Sequence, residues 1–175
     1  MKPVKTAFIL LLLLFSMMAH GQVHQPGSNA LDLYGNRTGI GTMLGLSYNH
    51  NTSEVLFLKF RSGFEFGRLY SFAYQNVTAD IMVFYAPVPL GNYVQINVGA
   101  GPTAGWEHVG GIEKEKAAAV GFHAGIKGGL EVETFLGDQL SFFLHGDQTL
   151  ELKQSLGKQS FQVGIGIRLF LNNYY

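Results

Sequence analysis

Carboxylates, cations and imidazoles recur along this sequence at alternate positions. Asp32, Glu65, Asp80, Glu107, Glu131, Glu133, Asp147 and Glu151 share one side of alternating segments with Lys59, Arg61, Lys127 and Arg168, and with His123 and His145. Three kinds of chemistry could use such a face: a structural network of ion pairs and hydrogen bonds, a proton or ion path, or an acid–base pair such as Glu131 with His145. Enclosed charges must pair or be hydrated, because an uncompensated buried charge is very costly. That requirement favours the network.

Other site chemistries find little support. With no cysteine there is no disulfide framework, thiolate metal site or thiol nucleophile. Histidines 24, 50, 108, 123 and 145 lack the spacing of a zinc site. Gly99-Ala-Gly101 and Gly164-Ile-Gly166 lie inside alternating segments rather than between a strand and a helix, so they do not form a phosphate cradle. No serine has the glycine-flanked setting of a nucleophile elbow. An enzyme would need His108, Glu107 and Ser160 to converge at a rim. No cofactor, metal or small-molecule substrate is expected.

The elements that must carry the charged face are strands. Phe161, Val163, Ile165, Ile167, Leu169 and Leu171 alternate with Gln162, Gly164, Gly166 and Arg168, a period of two. Seven further strands are expected near residues 29–35, 39–49, 54–66, 76–87, 93–107, 122–133 and 140–152. Their apolar rows include Leu56, Leu58 and Phe60; Ile96 and Val98; Phe122, Ile126 and Leu130; and Leu140, Phe142 and Leu144. Turns are expected at Asn36-Arg37-Thr38, His50 to Ser53, Pro89 to Asn92 and Gly137-Asp138, with longer connections at Gly67 to Gln75, His108 to Lys116 and Lys153 to Ser160. Ala117 to Ala119 could add a helical turn. Pro102, inside the fifth strand, implies a bulge because proline cannot donate to the ladder.

Eight strands suit a closed up-and-down antiparallel barrel whose interior is filled by side chains. Alternation alone leaves two orientations open. A soluble lipocalin-like barrel would turn the apolar row inward and the charges outward. A transmembrane barrel would do the reverse. Two patterns favour the transmembrane form: the apolar rows are free of charge along whole strands, and glycines at 45, 63, 99, 101, 105, 121, 125, 129, 164 and 166 gather on the charged side, where a small barrel is crowded. The alternation of short turns with longer loops agrees. Tyr48, Phe66, Tyr85, Tyr93 and Trp106 near strand ends suit interfacial girdles.

Targeting and composition fit this picture. Lys2 and Lys5 precede an apolar stretch from Ala7 to Met18, then Ala19-His20-Gly21, which together read as a signal peptide cleaved before Gln22. The expected organisation is a signal peptide over 1–21, a periplasmic leader over 22–28, the barrel over 29–171 and a tail over 172–175. Of the 175 residues, 47% are hydrophobic and 14% charged, and the net formal charge is zero, so direct nucleic-acid binding is not expected. The destination is the outer membrane of a Gram-negative bacterium.

From about Asn76 onward, three stretches carry a family likeness: Gly129-Leu-Glu-Val-Glu-Thr-Phe-Leu-Gly-Asp138, then Gly157-Lys158, then Phe161-Gln-Val-Gly-Ile-Gly-Ile-Arg168. Upstream, Val98-Gly-Ala-Gly101 followed by Ala104-Gly-Trp-Glu107 adds a glycine-rich strand ending in an aromatic–Glu pair. In these the chain resembles the conjugative transposon protein TraO family of the Bacteroidetes. The resemblance implies a non-catalytic outer-membrane component of a conjugative, type IV secretion-like DNA transfer apparatus. Its partners would be outer-membrane lipid and other proteins of that apparatus. The competing readings are an OmpA-like structural or adhesive barrel, a lipid-modifying barrel enzyme and the lipocalin-like barrel. Asn172-Asn-Tyr-Tyr175 departs from the usual barrel ending, which leaves Phe170 and Tyr175 as rival terminal aromatics.

Overall fold

The computed structural model describes residues 26–91, 93–110, 121–153 and 159–171. They form strands β1 (Asn29–Thr38), β2 (Gly41–Asn51), β3 (Leu56–Leu69), β4 (Phe72–Leu90), β5 (Val94–Val109), β6 (Phe122–Phe135), β7 (Leu140–Lys153) and β8 (Gln159–Phe170). Each strand pairs antiparallel with its chain neighbours, and β1 pairs with β8 to close the barrel. At this seam Leu31 faces Leu169, Asp32 faces Arg168 and Leu33 faces Ile167. Closure leaves no unpaired edge to aggregate or to meet lipid with free N–H and C=O groups.

Alternation decides the layers. Leu56, Phe60, Val98, Phe122, Ile126, Leu130, Phe142, Leu144, Phe161, Val163, Ile165, Ile167 and Leu169 are exposed on the outer wall. Leu58, Ile96 and Leu140 lie on the same wall, half-exposed. The intervening charged residues point into the barrel. This arrangement is opposite to that of a lipocalin-like barrel, whose apolar row would line the interior.

Several boundaries differ from the sequence expectation. Gly67 to Gln75 is not a long connection: β3 and β4 stay paired through Leu69 and Phe72, and the chain turns at Tyr70-Ser71, with Tyr70 at φ 56°. The alternation there is masked by glycine and by consecutive aromatics. β5 likewise continues to Val109, so His108 belongs to a strand.

Pro102 causes no bulge. Thr103 with Asp80 and Ala100 with Val83 keep one register on either side of it. The register shift in this ladder lies between Tyr85 and Val88, where Pro87 has no N–H to donate.

Of the leader, Gly27 and Ser28 bond to the backbone of Asn51 and act as a lead-in to β1. The expected signal peptide, the Ala117 to Ala119 turn, Gly157-Lys158 and the Asn172 to Tyr175 tail lie outside the described residues.

The barrel has two unlike ends. At the turn end, the β2–β3 turn is held by Thr52 and Ser53: the Thr52 hydroxyl donates to the Leu56 carbonyl, and the Ser53 hydroxyl accepts from the Leu56 N–H. Gly91 and Gly137 turn the chain at this end with φ 72° and 154°. The opposite, loop end carries the connections after β1, β3, β5 and β7.

Candidate functional site in the barrel interior

Interior side chains stack in layers along the barrel axis. The layer nearest the turn end centres on Arg168, which is fully buried. Its Nε donates to Asp32 Oδ1 at 2.9 Å, Nη2 to Glu131 Oε1 at 2.7 Å and Nη1 to Glu133 Oε2 at 2.5 Å. Lys59 reaches Glu131 at 2.5 Å and Asp32 at 3.1 Å from the far wall. Three carboxylates thus share two cations. The remaining acceptor positions take neutral donors: Ser47 and Asn49 bond Asp32, Asn97 bonds Glu131 and Glu133, and Ser141 bonds Glu133. The carboxylates are thus paired, as buried charge requires, while the buried amide oxygens Asn49 Oδ1 and Asn97 Oδ1 of the same layer find no protein partner.

Aromatic rings pack around these cations. Phe57 and Phe84 stack at 5.1 Å. Lys59 Nζ lies 4.8 Å from the Phe143 centroid, and the Arg168 guanidinium carbon lies 5.2 Å from the same ring. The ring faces supply negative potential while excluding water. Glycines make room for them: a Cβ at Gly99 would strike the Phe84 ring, and one at Gly166 would strike Phe143.

The middle layer is balanced. Arg61 bonds Asp147 at 2.9 Å and approaches Asp80 at 3.8 Å; Lys127 bonds Asp80 at 2.6 Å. Thr103 also donates to Asp80, and Gln162 to Asp147. Tyr34 lies under the Arg61 guanidinium at 4.8 Å.

His145 bonds Asp147 through Nδ1 at 3.1 Å and Asn36 Oδ1 through Nε2 at 2.7 Å. The alternative acid–base pairing with Glu131 is not made, although the two face each other in the β6–β7 register. Glu131 is already held by Lys59 and Arg168, which are long enough to cross the lumen.

At the loop end the interior opens into a cavity of about 560 Å³ whose lining mixes polar side chains with Ile40, Met43, Leu69, Phe161 and Val163. Glu65, Glu107, Glu151, His123, Tyr74 and Asn76 line it, with the threonines at 38, 78, 103 and 149. Thr38 donates to Glu65, Tyr74 to Glu107 at 3.1 Å, and His123 lies 3.3 Å from Glu151 and 3.0 Å from Asn76 Oδ1. The rim triad required of an enzyme does not assemble. Glu107 points inward and its neighbour His108 is exposed on the outer wall, as alternation within β5 dictates. Ser160 is exposed at the start of β8.

All eleven polar positions singled out for the lumen, Lys59, Arg61, Glu65, Asp80, Lys127, Glu131, Glu133, His145, Asp147, Glu151 and Arg168, therefore sit inside the barrel. The amides Asn49, Asn76 and Asn97 and the ring of Phe57 have inward parity in the sequence but give no charge signal; Asn36-Arg37-Thr38, expected as a turn, instead continue β1 and turn the Asn36 amide inward. Among the described residues no group of three or more His, Cys, Asp or Glu could hold a metal ion.

No family model matches the chain. No curated protein matches it either. Solved structures do. The N-terminal β-barrel domain of Pseudomonas aeruginosa OprF aligns with a TM-score of 0.63 at 13% identity, over 83% of this chain and 98% of that one. Neisserial surface protein A aligns with a TM-score of 0.61 at 13% identity, over 81% and 95%. The attachment invasion locus protein Ail of Yersinia pestis aligns with a TM-score of 0.53 at 8% identity, over 84% and 100%. At such identities the likeness concerns the fold, and that fold is the eight-stranded antiparallel β-barrel of small outer-membrane proteins.

Proposed function

We propose that this chain is an outer-membrane barrel with a structural, non-catalytic role, serving as a component of a conjugative DNA transfer apparatus. The observation that carries the membrane placement is the inversion of the usual soluble pattern. Exposed Leu, Ile, Val and Phe line the outer wall, while Arg168, Lys59, Glu131 and Glu133 are fully buried. Water would penalise so large an apolar surface, whereas the hydrocarbon of a bilayer matches it. Strands of 10 to 19 residues are long enough to cross, since about 9–11 suffice. The ion-paired layers fill the lumen, which suits an anchor better than a wide pore.

The transfer role rests on the resemblance in Gly129 to Asp138 and Phe161 to Arg168, which form the second half of β6 with its turn and most of β8. A second reading, an OmpA-like structural or adhesive barrel unrelated to conjugation, draws on the likeness to Neisserial surface protein A and Ail. Deleting the gene and measuring mating frequency separates the two. Transfer that drops while envelope integrity holds supports the first; unchanged transfer, with loss of surface attachment, supports the second. Membrane placement is tested by fractionation. The mature protein is expected in the outer-membrane fraction and soluble only with detergent.

A further inference from the structure

Among the described residues, the charged side chains off the lumen-facing rows are Arg37, Arg68 and Lys153 at the loop end, where Arg37 also borders the interior cavity, and Glu54 and Asp138 at the turn end. Arg37 and Arg68 flank one surface crevice of about 490 Å³, which also takes in Thr42, Gln75, Ile40 and Phe66. Its floor is bare backbone. Gly41 faces Gly67 across the β2–β3 ladder, and a Cβ on either would collide with the other strand's main chain. Arg37 donates to the Thr42 hydroxyl at 3.3 Å, and among the described residues neither guanidinium has a carboxylate partner. Below the crevice the wall continues as Phe66, Phe64, Leu44 and Leu46, all exposed.

We infer that this crevice binds the phosphate-bearing headgroup of an outer-leaflet lipid, the loop end being the outward one by its two longest connections, β5–β6 and β7–β8. The inference rests on the outer-membrane placement proposed above. Two planar guanidiniums, neither ion-paired among the described residues, offer bidentate donors that match phosphate oxygens. Their place above an apolar row puts those donors at headgroup depth, with the lipid's chains alongside the aromatics. Lys153, whose ammonium lies 4.9 Å over the exposed Phe122 ring, continues the cationic belt elsewhere on the same end.

The test uses the full mature protein inserted in phosphatidylcholine vesicles doped with lipid A or with lipid A stripped of its phosphates. Lipid retained on the extracted protein is read by mass spectrometry. Retention of the phosphorylated form is expected to exceed the stripped form by roughly tenfold, and to fall by about as much in R37A/R68A. R37K/R68K should recover part of it, because charge returns without the fork. A heat-dependent gel shift shows that each variant has closed its barrel.

Equal retention of the two lipids, or an unchanged R37A/R68A variant, overturns the proposal. So does an equal loss in E54Q/D138N, which would mean that the effect is not local to the crevice. Inorganic phosphate that binds as tightly without lipid identifies a free-anion site and overturns the lipid assignment. A barrel that inserts but shows no preference refutes this proposal alone; a chain that stays soluble without detergent refutes the membrane placement itself.

Discussion

The two halves of the lumen are built from the same strands by the same alternation, yet they handle buried polarity in different ways. Toward the turn end, Arg168 and Lys59 reach across the barrel and tie Asp32, Glu131 and Glu133 into one lattice, sealed by Phe57, Phe84 and Phe143. Toward the loop end, Glu65, Glu107 and Glu151 line a cavity of about 560 Å³ together with hydroxyls, Asn76 and His123. Where water is excluded, each charge needs a protein partner. Where space remains, water can supply the missing bonds. Long cations also join strands distant in sequence: Arg168 and Asp32 are 136 positions apart, and Lys59 and Glu131 are 72 apart. The lattice is therefore a tertiary fastener, and the cavity is a place where side chains can change.

The largest expected effect comes from breaking the lattice. Arg168→Leu leaves Lys59 as the one cation beside Asp32 and Glu131 and removes the side-chain tie between β8 and β1, whose backbone ladder remains. We expect a loss of about 3–5 kcal/mol, measured by urea unfolding of the vesicle-inserted barrel. A loss under about 1 kcal/mol would mean that water reaches this layer and that the contrast between the halves is false. Next comes packing. Gly166→Val places methyl groups where the Phe143 ring lies, so about 1–3 kcal/mol should be lost as that ring is pushed toward Arg168 and Lys59.

Much of this was legible in the sequence. Strict alternation in residues 161–171 identifies β8, and the same parity alone puts Lys59, Glu131 and Arg168 on one face. The closing seam near Leu31 and Leu33 follows from strand number and the antiparallel order. Who pairs with whom was not legible, because it depends on side-chain reach across the lumen. Glu131 faces His145 in register, yet it bonds Lys59 and Arg168. The Tyr70-Ser71 turn was obscured for a local reason: apolar residues at both parities around it, as in Leu69-Tyr70 and Phe72-Ala73, erase the period of two. The loop-end cavity was equally hidden, since small and large inward residues look alike when only parity is read.

Accessibility sharpens the contrast. The chain has no cysteine, so a single introduced thiol reports its own surroundings. Thr149→Cys, beside the cavity, should react with a water-soluble maleimide faster than Ser47→Cys, beside Asp32, by about an order of magnitude or more. Equal rates would show that the lattice does not exclude water.

The smallest effect is expected at Glu65. In the folded barrel it accepts from the Thr38 hydroxyl and lies 3.5 Å from the Asn76 amide, with cavity space beside it. Glu65→Gln retains one carbonyl acceptor for Thr38 and adds an amide that water in the cavity can satisfy, so stability should change by about 1 kcal/mol or less. Glu131→Gln makes the same chemical change in the sealed layer and removes one carboxylate from the set that Arg168 and Lys59 share. If the two substitutions cost the same in the same urea titration, the interior is one continuous environment. If Glu131→Gln costs several times more, solvent access rather than charge alone separates the halves.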